Sequence, residues 1–246
     1  MKIIIDINNK KINNIKAELL NEEQVNIIIN NKVDNYIEKK LNNIQNETNE
    51  FLNKIIAYSN KTLSGDRLIV RQHENELGNF AANACKNITN ADISIVNGGD
   101  IRTSLLAGPI TYKDILAIFP FQNNIHVYEV TGNIIKEMLE HSVEFVPASF
   151  GGFLSISSNI QFIYNLSLPA KNRIKEIYIN NELLDLEKKY SISMSSFIAA
   201  GGDDYTMLTN LKKLGEFDTI ENIIIKYINE YGIQEKDYKL GRIITE

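Results

Sequence analysis

Two stretches of this chain, Ile95-Val-Asn-Gly-Gly-Asp-Ile-Arg102 and Phe197-Ile-Ala-Ala-Gly-Gly-Asp-Asp204, carry the same Gly-Gly-Asp. Glycine loses more conformational entropy on folding than any other residue, so a compact domain rarely places two side by side without a reason. Either the pair makes a tight turn, or something must approach the bare backbone there. Each loop follows a strand-like run, and ligands in α/β sheets gather at strand ends. Neither loop has the spacing G-x-x-x-x-G-K-[ST] or G-x-G-x-x-G, so neither is a phosphate cradle of those kinds.

The segments around these loops alternate between helix and strand patterns. Leu77, Phe80, Ala81, Ala84 and Cys85 recur at helical spacing and predict one buried face, with Cys85 as a core thiol. Ile93 to Val96 reads as a short buried strand. Tyr112 to Phe119 reads as a helix stopped by Pro120, and Ile125 to Val130 as a strand. Ile134, Ile135, Met138, Leu139 and Val143 make another helical stripe. Strands follow at Ile160–Tyr164, Ile174–Ile179 and Tyr190–Ser196, with Asn180-Asn181 as a hairpin turn between the last two. Asp218-Thr-Ile-Glu221 has the spacing of a capping box. It opens a helix with Ile220, Ile223, Ile224, Tyr227, Ile228 and Tyr231 inward, closed by Gly232. Strands outnumber simple βαβ alternation, so the expected fold class is α+β, a mixed β-sheet with flanking helices.

Ahead of this domain, residues 1–20 read as strands with a turn at Asn8-Asn9-Lys10. Val25, Ile29, Val33, Ile37, Leu41, Ile44, Phe51, Leu52 and Ile55 then trace a long helix that Glu22 and Glu23 begin. Unbroken to Ala57 it would be roughly 50 Å long, so a break is expected near Asn42-Asn43. Periodicity alone does not separate a helix packed on a core from one that connects domains.

The net charge of −5, from 26 basic and 31 acidic residues, comes with no Lys/Arg cluster, which argues against nucleic acid as a partner. No apolar run approaches a membrane span, and the N-terminus MKIIIDINNKK is not a signal peptide. One cysteine gives neither an intrachain disulfide nor a zinc site. His73, His126 and His141 are scattered, without an H-x-H, H-E-x-x-H or G-x-S-x-G signature.

The candidate site residues cluster at the two loops. In Tyr190-Ser-Ile-Ser-Met-Ser-Ser-Phe197, alternation puts Phe197 on the polar face, where its ring could stack on a flat ligand. Phe121 lies beyond Pro120, out of helical phase with core Phe119. For either ring alone, core packing is the commoner role. Asp203 could accept from sugar hydroxyls or serve only as a turn residue. Arg71 and Arg102 are candidate anion contacts.

The motifs N-G-G-D-I-R (97–102), G-P-I-T-Y-K-D-I-L (108–116), F-P-F (119–121), G-G-F-L (151–154), F-I-A-A-G-G-D (197–203), G-R-I (241–243) and R-Q-H-E-N-E-L-G-N (71–79) resemble, in order and spacing, the C-terminal domain of the 5′-nucleotidases. That family pairs a metallophosphoesterase domain, which holds two metal ions, with a C-terminal nucleoside-binding domain and a linker helix between them. The resemblance implies that Phe121 and Phe197 sandwich a base, Asn97 meets the base edge and Asp203 holds ribose hydroxyls. Arg71 and Arg102 would contact ribose or phosphate, Gly99 would make room, and Gly202 would belong to the substrate-binding residues. Asp100 stands where many members have a third glycine.

The same resemblance implies residues 1–21 as strands of a preceding domain, 22–60 as the linker helix and 61–246 as the C-terminal domain. No cofactor is expected on this chain. Divalent metal ions belong to a metallophosphoesterase domain in the same or an adjacent chain, which makes this chain a catalytically incomplete, specificity-setting part, or a split-gene product. The family is usually exported. The rival reading is a non-catalytic interaction module with a vestigial pocket, associating through its N-terminal helix.

Overall fold

The computed structural model describes residues 2–8, 11–30 and 35–246. The chain divides into two units, Met1–Phe51 and Leu52–Glu246. The first begins with an antiparallel hairpin of β1 (Lys2–Asn8) and β2 (Lys11–Glu18), as the sequence predicts. Asn9 and Lys10 of its turn lie outside the described residues. Helix α1 (Glu22–Asn30) opens with a reciprocal cap. Gln24 N–H donates to Asn21 Oδ1 at 2.9 Å and Asn21 N–H to Gln24 Oε1 at 3.0 Å.

The long helix departs from expectation at both its break and its end. Helix α2 (Asn35–Leu52) runs unbroken through Asn42-Asn43. It stops at Leu52, short of Ala57 and of residue 60, because Ile55–Ser59 form strand β3. The β-branched pair Ile55-Ile56 suits a strand, and pairing with β5 (Gly108–Thr111) overrides the helical spacing. Val33 lies outside the described residues. The stripe of Ile37, Leu41, Ile44 and Phe51 is exposed in this chain.

The second unit is the mixed α+β domain. The helical turn α3 (Arg67–Val70) and helix α4 (Glu76–Thr89) lead into β4 (Ile93–Asn97). Next come α5 (Tyr112–Ile118), β6 (Asn124–Thr131), α6 (Gly132–Val143), β7 (Leu154–Ile156), β8 (Ile160–Tyr164) and β9 (Ile174–Ile179). The chain closes through β10 (Glu182–Leu183), β11 (Lys189–Ser195), α7 (Ser196–Ala199), β12 (Lys212–Thr219), α8 (Ile220–Tyr231), α9 (Glu235–Tyr238) and β13 (Ile243–Thr245). One sheet has the order β12-β6-β11-β4-β7 and a second β10-β9-β8-β13. β11 and β4 are parallel, as are β8 and β13, among otherwise antiparallel pairs.

Strand β4 is buried on both faces, with Ile93 and Ile95 in one core and Val96 in another. The predicted stripe of α4 lies wholly in that second core, against α8. Phe80 and Tyr227 meet edge to face, 6.0 Å between centroids. Cys85 is buried, and burial pushes its thiol up to about 12, as expected of an inert core group.

Three local expectations change. Asn180 and Asn181 do form a turn, both at positive φ, but they join β9 to the two-residue β10, and β11 belongs to the other sheet. At α8 the cap is Thr219, because β12 continues to that residue; Asp218 instead accepts from the Thr219 amide and Asn222. Tyr231 is half exposed at the end of α8, while the other five predicted inward residues are buried.

The G-R-I motif has a structural role. Arg242 is 5% exposed and donates to the carbonyls of Ile156 at 2.5 Å, Asp237 at 2.8 Å and Asn79 at 3.2 Å. It thereby ties β7, α9 and α4 together. Burial draws its guanidinium down to about 10, and the acids Glu74 and Asp237 oppose the shift. Replacing Arg242 by Met keeps the volume but strands three carbonyls. Urea unfolding is expected to show a loss of about 3 kcal/mol or more. A change within about 0.5 kcal/mol would contradict this account of the motif.

Candidate functional site

Strand β4 ends at Asn97, and Gly98–Asp100 form a 3-10 turn. The Gly98 amide donates to the Phe153 carbonyl and the Gly99 amide to the Gly151 carbonyl, each at 2.7 Å. A methyl group on Gly98 would overlap the Val70 carbonyl. One on Gly99 would lie 3.0 Å from Asn97 Nδ2 and 3.1 Å from the Gly151 oxygen. The closest demand for bare backbone therefore comes from neighbouring chain segments. The Val70 contact brings α3 against the turn, with Arg71 directly after it.

The second Gly-Gly-Asp forms the facing wall. Strand β11 ends at Ser195, whose hydroxyl caps α7 by accepting from the Ile198 amide at 3.3 Å. Phe197 thus sits on a helical turn and not on a continued strand face, which corrects the alternation argument. Its ring is nonetheless out of the core, 41% exposed. It rests against Gly202, where an added Cβ would lie 2.5 Å from the ring. Gly202 therefore seats Phe197 and does not line the cavity. Asp203 and Asp204 follow at φ 50° and 63°. Asn97 Nδ2 donates to Asp203 Oδ2 at 3.3 Å and joins the two loops.

Between the walls lies a cavity of about 400 Å³. Arg71, Asn97, Gly99, Phe121, Phe197 and Asp203 line it, as do Asp100, Asn123 and Gly151, which sequence patterns alone do not assign to the site. Arg102 stands at the rim with its guanidinium 5.4 Å from the centre of the Phe121 ring. The volume is in the range of small-molecule sites. A larger cleft of about 650 Å³ lies beyond Asp204, bordered by Lys136, Glu137, Glu144 and Lys171. It contains none of the eight predicted residues. The smaller cavity combines two rings with buried polar atoms that lack partners, and it is the better built of the two.

Those polar atoms are Arg71 Nε, Asn97 Oδ1 and Asp100 Oδ2. Burial depresses the proton affinity of Arg71, and the nearby Arg67 and Arg102 charges add to this while Asp203 opposes it. Burial raises Asp203, against the hydrogen bond from Asn97 and the charge of Arg71. Asp100 is pushed up to about 7, first by burial and then by the Asp203 charge, with Asn97 and Ser195 opposing.

The sequence does not single out His141 for this site. Its Nε2 lies 2.8 Å from the Asp203 carbonyl oxygen. No short motif places an α6 residue there. Among the described residues no group of three or more His, Cys, Asp or Glu side chains fits a metal ion. No helix among them is long and apolar enough to cross a membrane.

Asp100 gives a pH prediction. Its carboxyl is raised on folding from 3.8 to about 7, so the folded state holds the proton more tightly. Its contribution is therefore fully favourable below about 4 and is lost as pH rises to about 7. Thermal melts should show Asp100→Asn gaining stability over wild type as pH rises across that window, by an amount of order 4 kcal/mol at most. Parallel wild-type and variant curves would contradict the assignment.

The family model for the 5′-nucleotidase C-terminal domain matches residues 55–210. The trifunctional nucleotide phosphoesterase protein YfkN of Bacillus subtilis is 32% identical over 173 residues, covering 67% of this chain and 12% of that protein. A 5′-nucleotidase of Vibrio vulnificus is 34% identical over 162 residues, 65% of this chain and 28% of that one. The crystal structure of a 5′-nucleotidase precursor from Thermus thermophilus superposes with a TM-score of 0.74 at 26% identity, covering 98% of this chain and 48% of that one. The chain spans less than half the length of each of these relatives. With the family model matching more than half of its residues, the chain belongs to the 5′-nucleotidase family, through that family's C-terminal domain.

Proposed function

We propose that this chain is the nucleoside-recognising, specificity-setting part of a 5′-nucleotidase-type phosphohydrolase. The observation that supports the reading is the one cavity lined by Phe121, Phe197, Arg71 and the Asp203 carboxylate that Asn97 holds. A base stacks on the aromatic rings, a contact that tolerates any base. Asn97 meets the base edge, and Asp203 accepts from the ribose hydroxyls. Arg71 is the better phosphate contact, since its Nε is buried without a partner, whereas the Arg102 guanidinium lies over the Phe121 ring.

The role in catalysis is positioning, holding the nucleoside so that the phosphate points outward. No hydrolytic step is assigned to the residues of this cavity. In this reading the divalent metal ions sit on a metallophosphoesterase domain, in the same or an adjacent chain, and supply the activation of water.

Calorimetry with adenosine and AMP tests the reading. Phe197→Ala should weaken both by about tenfold or more, the worth of one stacked base. Arg71→Gln should weaken AMP more than adenosine. Wild-type affinity in Phe197→Ala would overturn the stacking role.

A further inference from the structure

His141 stands in the last turn of α6, walled in by aromatic rings. Tyr205, Phe150 and Phe145 lie nearly perpendicular to its imidazole, with centroids 4.7, 5.3 and 5.9 Å away. Both ring nitrogens face oxygen atoms. Nε2 is 2.8 Å from the Asp203 carbonyl oxygen, and Nδ1 is 3.0 Å from Glu144 Oε2. A carbonyl oxygen only accepts, and so does an ionised carboxylate. The two contacts are satisfied together only when each nitrogen carries a proton. A neutral ring would turn a lone pair toward one of the oxygens.

The carbonyl that His141 holds belongs to an unfavourable piece of backbone. Gly201, Asp203 and Asp204 have φ of 90°, 50° and 63°. Left-handed backbone is disfavoured for residues other than glycine, and two successive aspartates adopt it only where the surroundings impose it. One hold is Asn97 on the Asp203 carboxylate. Another is the Tyr205 hydroxyl, which donates to the Gly152 carbonyl at 2.5 Å. His141 supplies the direct grip on the main chain between them.

We propose that His141 is a positioning residue. As an imidazolium clamped between Glu144 and the Asp203 carbonyl, it fixes the left-handed Asp203–Asp204 turn. It thereby aims the Asp203 carboxylate at the ligand's vicinal hydroxyls. The identity of that ligand rests on the nucleoside reading, whereas the His141 link does not.

Charged groups surround the ring on several elements. Glu144 faces it from the end of α6, with Lys171 3.6 Å from the other carboxylate oxygen. Asp203 and Asp204 face it from the turn, and Arg71 acts on Asp203 from the far side. Glu140, on the same helix, has both oxygens taken by the amides of Arg173 and Ile174. Lys136 and Glu137 border the adjoining cleft. A ring with a single N–H would keep it on the carboxylate, the stronger acceptor. The Asp203 carbonyl would then lack its donor, and recognition of the hydroxyls would weaken.

Two measurements test this. Long-range ¹H–¹⁵N spectra of the full chain should show a proton on each His141 ring nitrogen. The Asp203 and Asp204 amide signals should move whenever the protonation of that ring changes. At one pH, calorimetry should show the preference for adenosine over 2′,3′-dideoxyadenosine about tenfold lower in His141→Gln, which keeps one donor and no charge, than in the wild-type chain. Comparing two ligands with the same base cancels the contribution of Asp100. A singly protonated ring throughout would overturn the proposal, as would Asp203 and Asp204 amides indifferent to His141. So would a His141→Gln variant with the wild-type preference. Should neither nucleoside bind, the nucleoside reading falls and the coupling of the amide signals to His141 alone decides. The wild-type spectra need no substitution, so a variant that fails to fold leaves the test intact.

Discussion

Two backbone hydrogen bonds, from Gly98 to Phe153 and from Gly99 to Gly151, bring the end of strand β4 against a loop some fifty residues away in sequence. The same turn lies against the Val70 carbonyl, where no side chain fits. These contacts decide where Arg71, Asn97 and the Gly151–Phe153 segment stand relative to one another. The Asn97 amide then reaches the second Gly-Gly-Asp and fixes Asp203. The cavity is thus built on main-chain contacts within a rigid sheet, and its side chains inherit their positions. A larger residue at Gly98 would move the wall that carries Arg71 before it touched any ligand.

The electrostatics of the cavity follow from that packing. Bringing the two loops together places the Asp100 and Asp203 carboxyls near each other, and burial raises both. The Arg102 charge adds to the lowering of Arg71, so an anion beside Arg71 would relieve it. The left-handed Asp203–Asp204 turn is disfavoured locally; Asn97 of β4 and His141 of α6 hold it, and the adjacent Tyr205 anchors it to the Gly152 carbonyl. Such a conformation persists only where its surroundings impose it.

Much of this was legible in the sequence because the signals were local. The stripes on α4 and α6, the strands β8 and β9, and the exclusion of Phe121 from the core follow from spacing and from Pro120. The helix at residues 35–52 was legible in type but not in extent. Ile55 and Ile56 keep helical phase, and only a pairing with residues 108–111 makes them a strand. Phe197 was expected off the core for the wrong local reason, since a Ser195 cap turns the chain there. Gly202 was expected among the substrate-binding residues, and the space beside it is filled by the Phe197 ring. His141 and Asn123 were invisible because their roles depend on which segments meet, and no short motif encodes that.

The central claim is that the walls formed by the two Gly-Gly-Asp loops enclose a nucleoside. The most direct measurement is a crystal structure of the chain with adenosine. The account predicts the base stacked on Phe121 and Phe197, with the ribose hydroxyls on Asp203. Adenosine seated instead in the larger cleft beside Lys136 and Lys171, with the Phe121–Phe197 cavity empty, would contradict it.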